Sequence, residues 1–469
     1  MSPSSRTTWQ LLIRRLHLYI GLLVAPFIVV AAATGLLYAL TPQLESQLYR
    51  SALQADSAPG TQAQPLSAQV QVALQSLPTP AVVVAVRPAP DTRSTTRVMV
   101  ADTALGPSEY RSLFVNPSSL ALQGDLTVYG TSGVLPLRKQ LDLLHRQLLM
   151  GDWGRTYSEL AASWLWVAGL GGVALWWLSR PQRAGGNKAT LPPLRRWHHG
   201  LGLWLLVGLL FLSGTGLTWS RWAGRHFGQA LQHMGWQTPR LNTDLSVNNA
   251  GAHTHHHPAD PHADHAEHQA TPMAMPGMAN MAGMAPMPQD FDTALALARQ
   301  HGLASSKLEI RPPAAAGKAW TVTEINRSWP TEVDALAIDL ANGQVLHHNR
   351  FSDYPLASKL TRWGIDLHMG SWGVLNQVVL VLLGAGIVAM AVTGWLQWRK
   401  RSGRRREWLH RQLTLIHQWR QLPRAAALAL LLAAAALGWL LPVLGCSLLA
   451  LLALDAWIYL RPSPQPAQR

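Results

Sequence analysis

Two apolar stretches of this chain are written on one template. Sliding the first onto the second at an offset of 181 residues (196 − 15) sets Arg15 on Arg196, His17 on His198, Gly21 on Gly202, Thr34 on Thr215 and Gly35 on Gly216, with no gap. Each stretch has the roughly 20 apolar residues that a helix needs to cross a bilayer. Each also carries a histidine at its basic end. A chain with two such stretches is constrained to be a helical membrane protein.

Further apolar runs agree. Spans are expected up to residue 40 and over 159–179, 198–219 and 374–398, with a hairpin over 423–460 broken at Pro442 and a short tail, 461–469. Only 13% of residues are charged and 21 are Trp. The net charge of +15 would suit nucleic acid, but its placement argues against that partner. Lys and Arg gather at Arg14-Arg15, along Arg180–Arg196 and along Arg399–Arg406, each group abutting an apolar run. If the helices alternate, all three groups share one side, which the positive-inside rule makes the cytoplasm. The loops 180–197 and 399–422 are then cytoplasmic, as are both termini, and 41–158 and 220–373 lie outside. Ala31-Ala32-Ala33 offers small residues for signal cleavage, but the first run is too long for a signal core and its twin lies mid-chain, so it is expected to be retained. The single cysteine, Cys446, sits in the last apolar run, so no disulfide framework supports the outer segments.

Both outer segments read as a helix followed by four strands. In the first, Ser67–Leu77 has helical spacing and Ala81–Val86, Arg97–Ala101, Tyr110–Asn116 and Leu120–Leu126 have strand character. In the second, the helix is Asp290–His301 and the strands are Lys307–Arg311, Ala319–Ile325, Ala335–Asp339 and Gln344–His348, the last two joined by a turn at Ala341-Asn342-Gly343. The expected fold is therefore a membrane α-helical bundle: a four-helix core from two repeats, a C-terminal helical hairpin, and two small α+β domains outside. A low-complexity insert, 253–288, interrupts the second domain. It holds His253, His255, His256, His257, His262, His265 and His268, then Met273, Met275, Met278, Met281, Met284 and Met287, and packs no core.

Each outer segment returns to the membrane through a second histidine motif, Leu144-His145-Arg146 and Leu367-His368-Met369-Gly370, each shortly before a Gly-x-Trp-Gly. The topology sorts the four histidines into an inner pair, His17 and His198, and an outer pair, His145 and His368, with one member per repeat. A lone interfacial His is ordinarily a polar anchor. Four in this pattern suit the axial ligands of two b-type haems, because neutral imidazole supplies one nitrogen to each face of the iron. Gly21, Gly35, Gly202 and Gly216 offer clearance for a flat macrocycle, although glycine is also common at plain helix contacts. Zinc or copper fits these four less well, since no Cys or carboxylate converges on either pair. Arg15 and Arg196 inside, with Arg14 and Arg195 beside them, and Arg146 outside, are candidates for propionate pairing; lipid headgroup anchoring is the alternative for each. His199 is an alternative to His198, and the template favours His198. His145 lies some 15 residues ahead of its apolar run. Either the helix projects beyond the bilayer, or Gly151–Gly154 breaks it and His145 rides a surface helix.

These residues resemble the PepSY-associated transmembrane family, which includes iron-regulated membrane proteins and inner-membrane ferric-siderophore reductases. The resemblance rests on Arg14–Gly21, Leu144–Arg146, Arg195–His198 and Leu367–Gly370, and spans about Arg14 to Trp398. It implies PepSY-like periplasmic domains, a bacterial inner-membrane location, two bis-histidine b-haems, and electron flow outward to a ferric siderophore or other metal chelate. The insert departs from the family pattern. Its imidazoles suit Cu(II) and its thioethers Cu(I), so copper is a second candidate metal, and a loose metal buffer the plainer reading. The competing functions are a non-enzymatic regulator acting through its PepSY-like domains and a copper-handling protein. No nucleotide loop, flavin motif or Cys pair names the electron donor, leaving a quinol or a cytoplasmic reductase.

Overall fold

The computed structural model describes residues 3–56, 61–130, 132–179, 192–245, 286–400 and 413–461. They form two compact units. One comprises Met1–Ala39, Leu141–Gln229 and Val378–Arg469; the other comprises Leu40–Gln140 and Ala230–Gln377.

In chain order, α1 (Pro3–Tyr19) runs through a π-helical turn at Ile20–Val24 into α2 (Ala25–Ala39). After α3 (Thr41–Leu48), α4 (Arg50–Leu53) and α5 (Leu66–Gln75), the chain returns as α6 (Pro136–Gln147) and α7 (Gly151–Leu178). Then come α8 (Pro193–Trp204), α9 (Leu206–Thr218), α10 (Ala223–His233), α11 (Pro288–Gln300) and α12 (Leu356–His368). The last four are α13 (Val374–Lys400), α14 (Leu415–Trp419), α15 (Arg424–Leu440) and α16 (Pro442–Leu460).

Among the described residues, four helical stretches are long and apolar enough to cross a membrane: Arg6–Ala39, Gly151–Leu178, Val374–Lys400 and Pro442–Leu460. The expected third span is not one straight helix, because α8 and α9 meet at Leu205 with a 56° bend. The bend and the π turn occupy the same place in the template, since Val24 at the end of the turn maps to Leu205 (24 + 181). The expected fifth span, α15, is a shorter apolar helix of 17 residues. Pro442 opens α16, where its missing N–H costs nothing. The two arms of this hairpin cross at Gly438 and Gly445, where a Cβ on Gly445 would lie 2.8 Å from the Gly438 Cα.

The second unit is built on one antiparallel sheet of β1 (Val83–Arg87), β2 (Thr96–Val100), β3 (Glu109–Val115), β4 (Leu122–Tyr129), β5 (Leu308–Arg311), β6 (Trp320–Glu324), β7 (Ala335–Asp339) and β8 (Gln344–Asn349). Their order is β4-β3-β2-β1-β5-β6-β7-β8. Alternate residues of these strands (Val98 and Val100, Leu113 and Val115, Ile310, Val322, Leu336 and Ile338) face a core shared with Val70 and Ala73 of α5 and Phe291 and Ala294 of α11. Asp292 of α11 accepts from the Leu66 and Ser67 amides at the start of α5, at 2.7 and 3.1 Å.

Two separate small domains were expected, and here the structure differs. The strands of both segments form, but they join edge to edge, with β1 antiparallel to β5 and Val86 opposite Ile310. A four-stranded half would leave an open edge strand, and α5 and α11 would each cover only half a core. Side chains stitch the seam. Glu309 of β5 is buried and takes Arg87 of β1 at 2.7 Å from Nε and Arg311 at 2.5 Å from Nε. Burial alone would raise the Glu309 pKa; the guanidinium charges of Arg87 and Arg311 outweigh it and hold the carboxyl below its ordinary value.

Because the folded pKa is depressed, the stabilisation from Glu309 is present above the unfolded value and lost as pH falls through the folded one. Glu309→Gln, which breaks a buried pair, should lower stability by about 3–5 kcal/mol at neutral pH. Differential scanning fluorimetry of the intact protein in detergent should show the difference from wild type shrinking on acidification.

Candidate functional site

The template histidines of the first unit meet. His17 lies near the end of α1, three residues before the π turn, and His198 lies in α8. Their ring centroids are 6.3 Å apart with planes at 84°. His198 Nδ1 is 3.0 Å from the Met390 carbonyl and 3.3 Å from Thr393 Oγ1. A carbonyl only accepts, so this contact puts the proton on Nδ1 and leaves the Nε2 lone pair for an external partner. His17 Nδ1 is buried and makes no hydrogen bond of ordinary geometry.

Each ring rests on a glycine of the neighbouring helix. A Cβ on Gly172 of α7 would lie 3.5 Å from His17 Cε1, and one on Gly394 of α13 would lie 3.3 Å from His198 Cε1. Ala168 and Gly172 map onto Met390 and Gly394 at one offset, 222 (390 − 168 and 394 − 172). So the two rings are backed by glycines at matching positions, and of the two His198 has the hydrogen-bonded carbonyl one turn earlier. Of the template glycines, Gly21, Gly202 and Gly216 back no histidine: a Cβ on Gly21 would meet nothing within 4 Å, one on Gly202 Met390 Sδ at 3.7 Å, and one on Gly216 the Ala162 Cβ at 3.4 Å. The signal for the true backing residues was present in the apolar runs, as Gly171-Gly172 and Thr393-Gly394, but spacing alone does not say which glycine a ring approaches. A cleft of about 260 Å³ opens beside His17, lined by Leu16, Ile20, Trp166, Leu170 and Gly171.

His145 rides a separate helix rather than the end of a span. Positive φ at Leu148, Leu149 and Gly151 turns the chain between α6 and α7. The Tyr157 hydroxyl donates to the His145 carbonyl, the Ser158 hydroxyl donates to the Arg146 carbonyl at 2.8 Å, and a Cβ on Gly154 would lie 1.7 Å from the Gln147 carbonyl oxygen. Folded back in this way, α6 lays the His145 ring against the first span. A Cβ on Gly35 would be 3.1 Å from His145 Cε1, and Thr34 Oγ1 is 3.0 Å from its Nδ1. The distance expected from a continuous helix therefore does not arise. His368 likewise ends its own helix, α12 in the second unit, ahead of a turn with positive φ at Gly370 and Gly373.

The arginines divide. Arg15 is 3% exposed and faces Asp455 of α16, with Nε–Oδ1 3.7 Å, which takes it away from the propionate role expected of it. The physical reason is helical phase: Arg15 sits two residues, about 200°, around α1 from His17. Arg196 is exposed on α8, and Arg146 pairs with Asp142 at 3.4 Å. Of the insert residues, Met287 is described and stands at the start of α11. His253, His255, His256, His257, His262, His265, His268, Met273, Met275, Met278, Met281 and Met284 lie outside the described residues. Among the described residues no group of three or more His, Cys, Asp or Glu converges as a bare-metal site.

Comparison with known proteins bears on this arrangement. No curated protein matches the chain. The family model for the PepSY-associated TM region matches residues 14–401, which takes in His17, His145, His198 and His368 and ends before α14–α16. Since that match covers well over half of its 469 residues, the chain belongs to the PepSY-associated TM region family.

Proposed function

We propose that this chain is an electron conduit of a bacterial inner membrane that reduces a periplasmic ferric chelate, with His17 and His198 as axial ligands of an inner b-type haem. The observation that carries the reading is the spacing of the two rings. A metal–nitrogen bond of about 2 Å and about 1 Å from nitrogen to ring centre, counted on both sides, put two axial imidazoles about 6 Å apart, close to the 6.3 Å between these centroids. Two donors from facing helices, belonging to no group of three or more His, Cys, Asp or Glu among the described residues, suit an iron whose other positions are filled by a macrocycle. When bound, the haem would supply one-electron transfer.

The chain's own residues do the rest. Met390 and Thr393 hold the His198 tautomer and ring angle, Gly172 and Gly394 admit the rings, and apolar walls keep water from them. The second pair, His145 with His368, is proposed on the sequence repeat rather than on a distance. Within it, Thr34 would orient His145 as Met390 orients His198. The cytoplasmic face is assigned to the basic ends of the spans and the sheet unit to the periplasm, by the positive-inside rule. The insert is proposed as a copper tether on that outer face.

Purified protein should carry about two haems b per chain, released by acid acetone because no Cys-x-x-Cys-His attaches them covalently; their absence from cells supplied with haem precursor would refute the conduit. His17→Ala and His198→Ala should each remove the same spectral haem and leave the other in place. If they remove different haems, the pairing is wrong. Deleting residues 251–288 should leave haem content unchanged and lower cupric reduction at low copper more than ferric-chelate reduction, as parallel initial rates would show.

A further inference from the structure

The segment after the family match is tied into the first span by a buried charge. Asp455 of α16 is 0% exposed and Arg15 3%. One Asp455 oxygen accepts from the Tyr19 hydroxyl at 2.6 Å and lies 3.7 Å from Arg15 Nε; the other accepts from the Ile416 amide at 3.0 Å. The Arg15 guanidinium lies 4.6 Å from the Tyr19 ring centre, and its nitrogens make no hydrogen bond of ordinary geometry. Asp455 is therefore its one close counter-charge among the described residues. Ionisable groups inside a membrane protein are costly, and their usual justification is function.

Helical phase gives this contact a role. Arg15 and Tyr19 are four residues apart and share one face of α1. His17, about 200° from each, points the opposite way, toward α7 and His198. Immediately after Tyr19 the winding changes to the π turn, so the rotation of α2 in the bundle does not fix the rotation of α1. The turn itself is held by Trp395 of α13, whose Nε1 donates to the Gly21 carbonyl at 2.6 Å. Upstream of the turn, Gln10 Nε2 donates to Ser179 Oγ at 3.1 Å in the first half of α1, and next to the turn the buried Arg15–Tyr19 stripe is held against Asp455. The hairpin carrying Asp455 is itself fixed to the bundle: Trp164 Nε1 donates to Ser447 at 2.8 Å, and His226 Nδ1 reaches the Leu440 carbonyl at 3.0 Å.

We propose that Asp455 is a positioning residue for His17, acting through Arg15 and Tyr19, so that the C-terminal hairpin is a working part of the inner haem site. This rests on the haem reading above. A mere anchor would hold the hairpin on the bundle and leave the His17 ring where it is.

The test uses the full chain in detergent, with Asp455→Asn, Asp455→Glu and Tyr19→Phe beside wild type and His17→Ala. Haem content is measured first, then the reduction potential and the low-spin EPR signal of each haem. Asp455→Asn is expected to shift the potential and the g values of the haem that His17→Ala removes, and to leave the other haem unmoved. Asp455→Glu should restore much of the wild-type signal. Tyr19→Phe keeps both charges and should move the g values of the same haem by less, which carries the test if Asp455→Asn does not accumulate. Unmoved g values in Tyr19→Phe and Asp455→Asn, with only yield or thermal stability lowered, would overturn the proposal and leave Asp455 an anchor. So would equal shifts of both haems. Absence of haem from wild type would instead overturn the underlying reading, and the positioning role with it.

Discussion

A neutral imidazole among apolar helices has one N–H and one lone pair, and neither can be left to hydrocarbon. At His198 the N–H goes to the Met390 carbonyl, 3.0 Å away. That single contact fixes which helix must lie beside which. α13 has to approach α8 at the level of Met390, and it can do so because Gly394, one turn on, has no side chain to keep the ring out. The glycine backing recurs for His17, whose ring rests on Gly172 of α7. What remains at His198 is Nε2, and the two rings stand 6.3 Å apart at 84°. At His198 the helix neighbour, the tautomer and the nitrogen left for an external partner thus follow from one requirement, that a polar group in a membrane be satisfied.

The departures from regular helix serve the same end. A straight first span would carry one rotation from end to end. The π turn at Ile20–Val24 separates the stretch bearing His17 from the stretch bearing Gly35, which receives His145. In the third apolar stretch the bend at Leu205 separates the part bearing His198 from the part bearing Gly216. Each half can then be set by its own neighbours. In the sheet unit the comparable constraint is the open edge. β1 and β5 meet with Val86 opposite Ile310, and Glu309 neutralises the guanidinium groups that the junction brings together.

Much of this was legible in the residues. The template offset picked out His17 and His198, and the structure brings them together. Period-two runs of Val, Phe and Ile marked the strands, and Pro442 marked the hairpin. Other features were not legible, for physical reasons. Edge-to-edge joining of the two half-sheets depends on which strand ends up outermost, which local pattern does not encode. The fold-back of α6 depends on positive φ at Leu148 and Leu149, residues that rarely adopt it, so the hint of a break lay in Gly151–Gly154. Arg15 looked like a surface cation beside a haem because its partner, Asp455, lies 440 residues away in sequence (455 − 15). Glycines were expected to make room on the helices that carry the histidines. Gly35 does so for His145, whereas the His17 and His198 rings rest on Gly172 and Gly394 of the facing helices, a relation that exists only after packing.

The central claim is that two imidazoles, from the first and third apolar stretches, share one iron with their planes crossed. Low-temperature EPR of the oxidised, purified protein reads that angle directly, because crossed axial imidazoles give a highly anisotropic low-spin ferric signal with one very large g value, whereas parallel ones give a rhombic signal. The account predicts a signal of the first kind, lost in both His17→Ala and His198→Ala. A wild-type spectrum with only rhombic low-spin signals, or with no low-spin ferric haem, would contradict it.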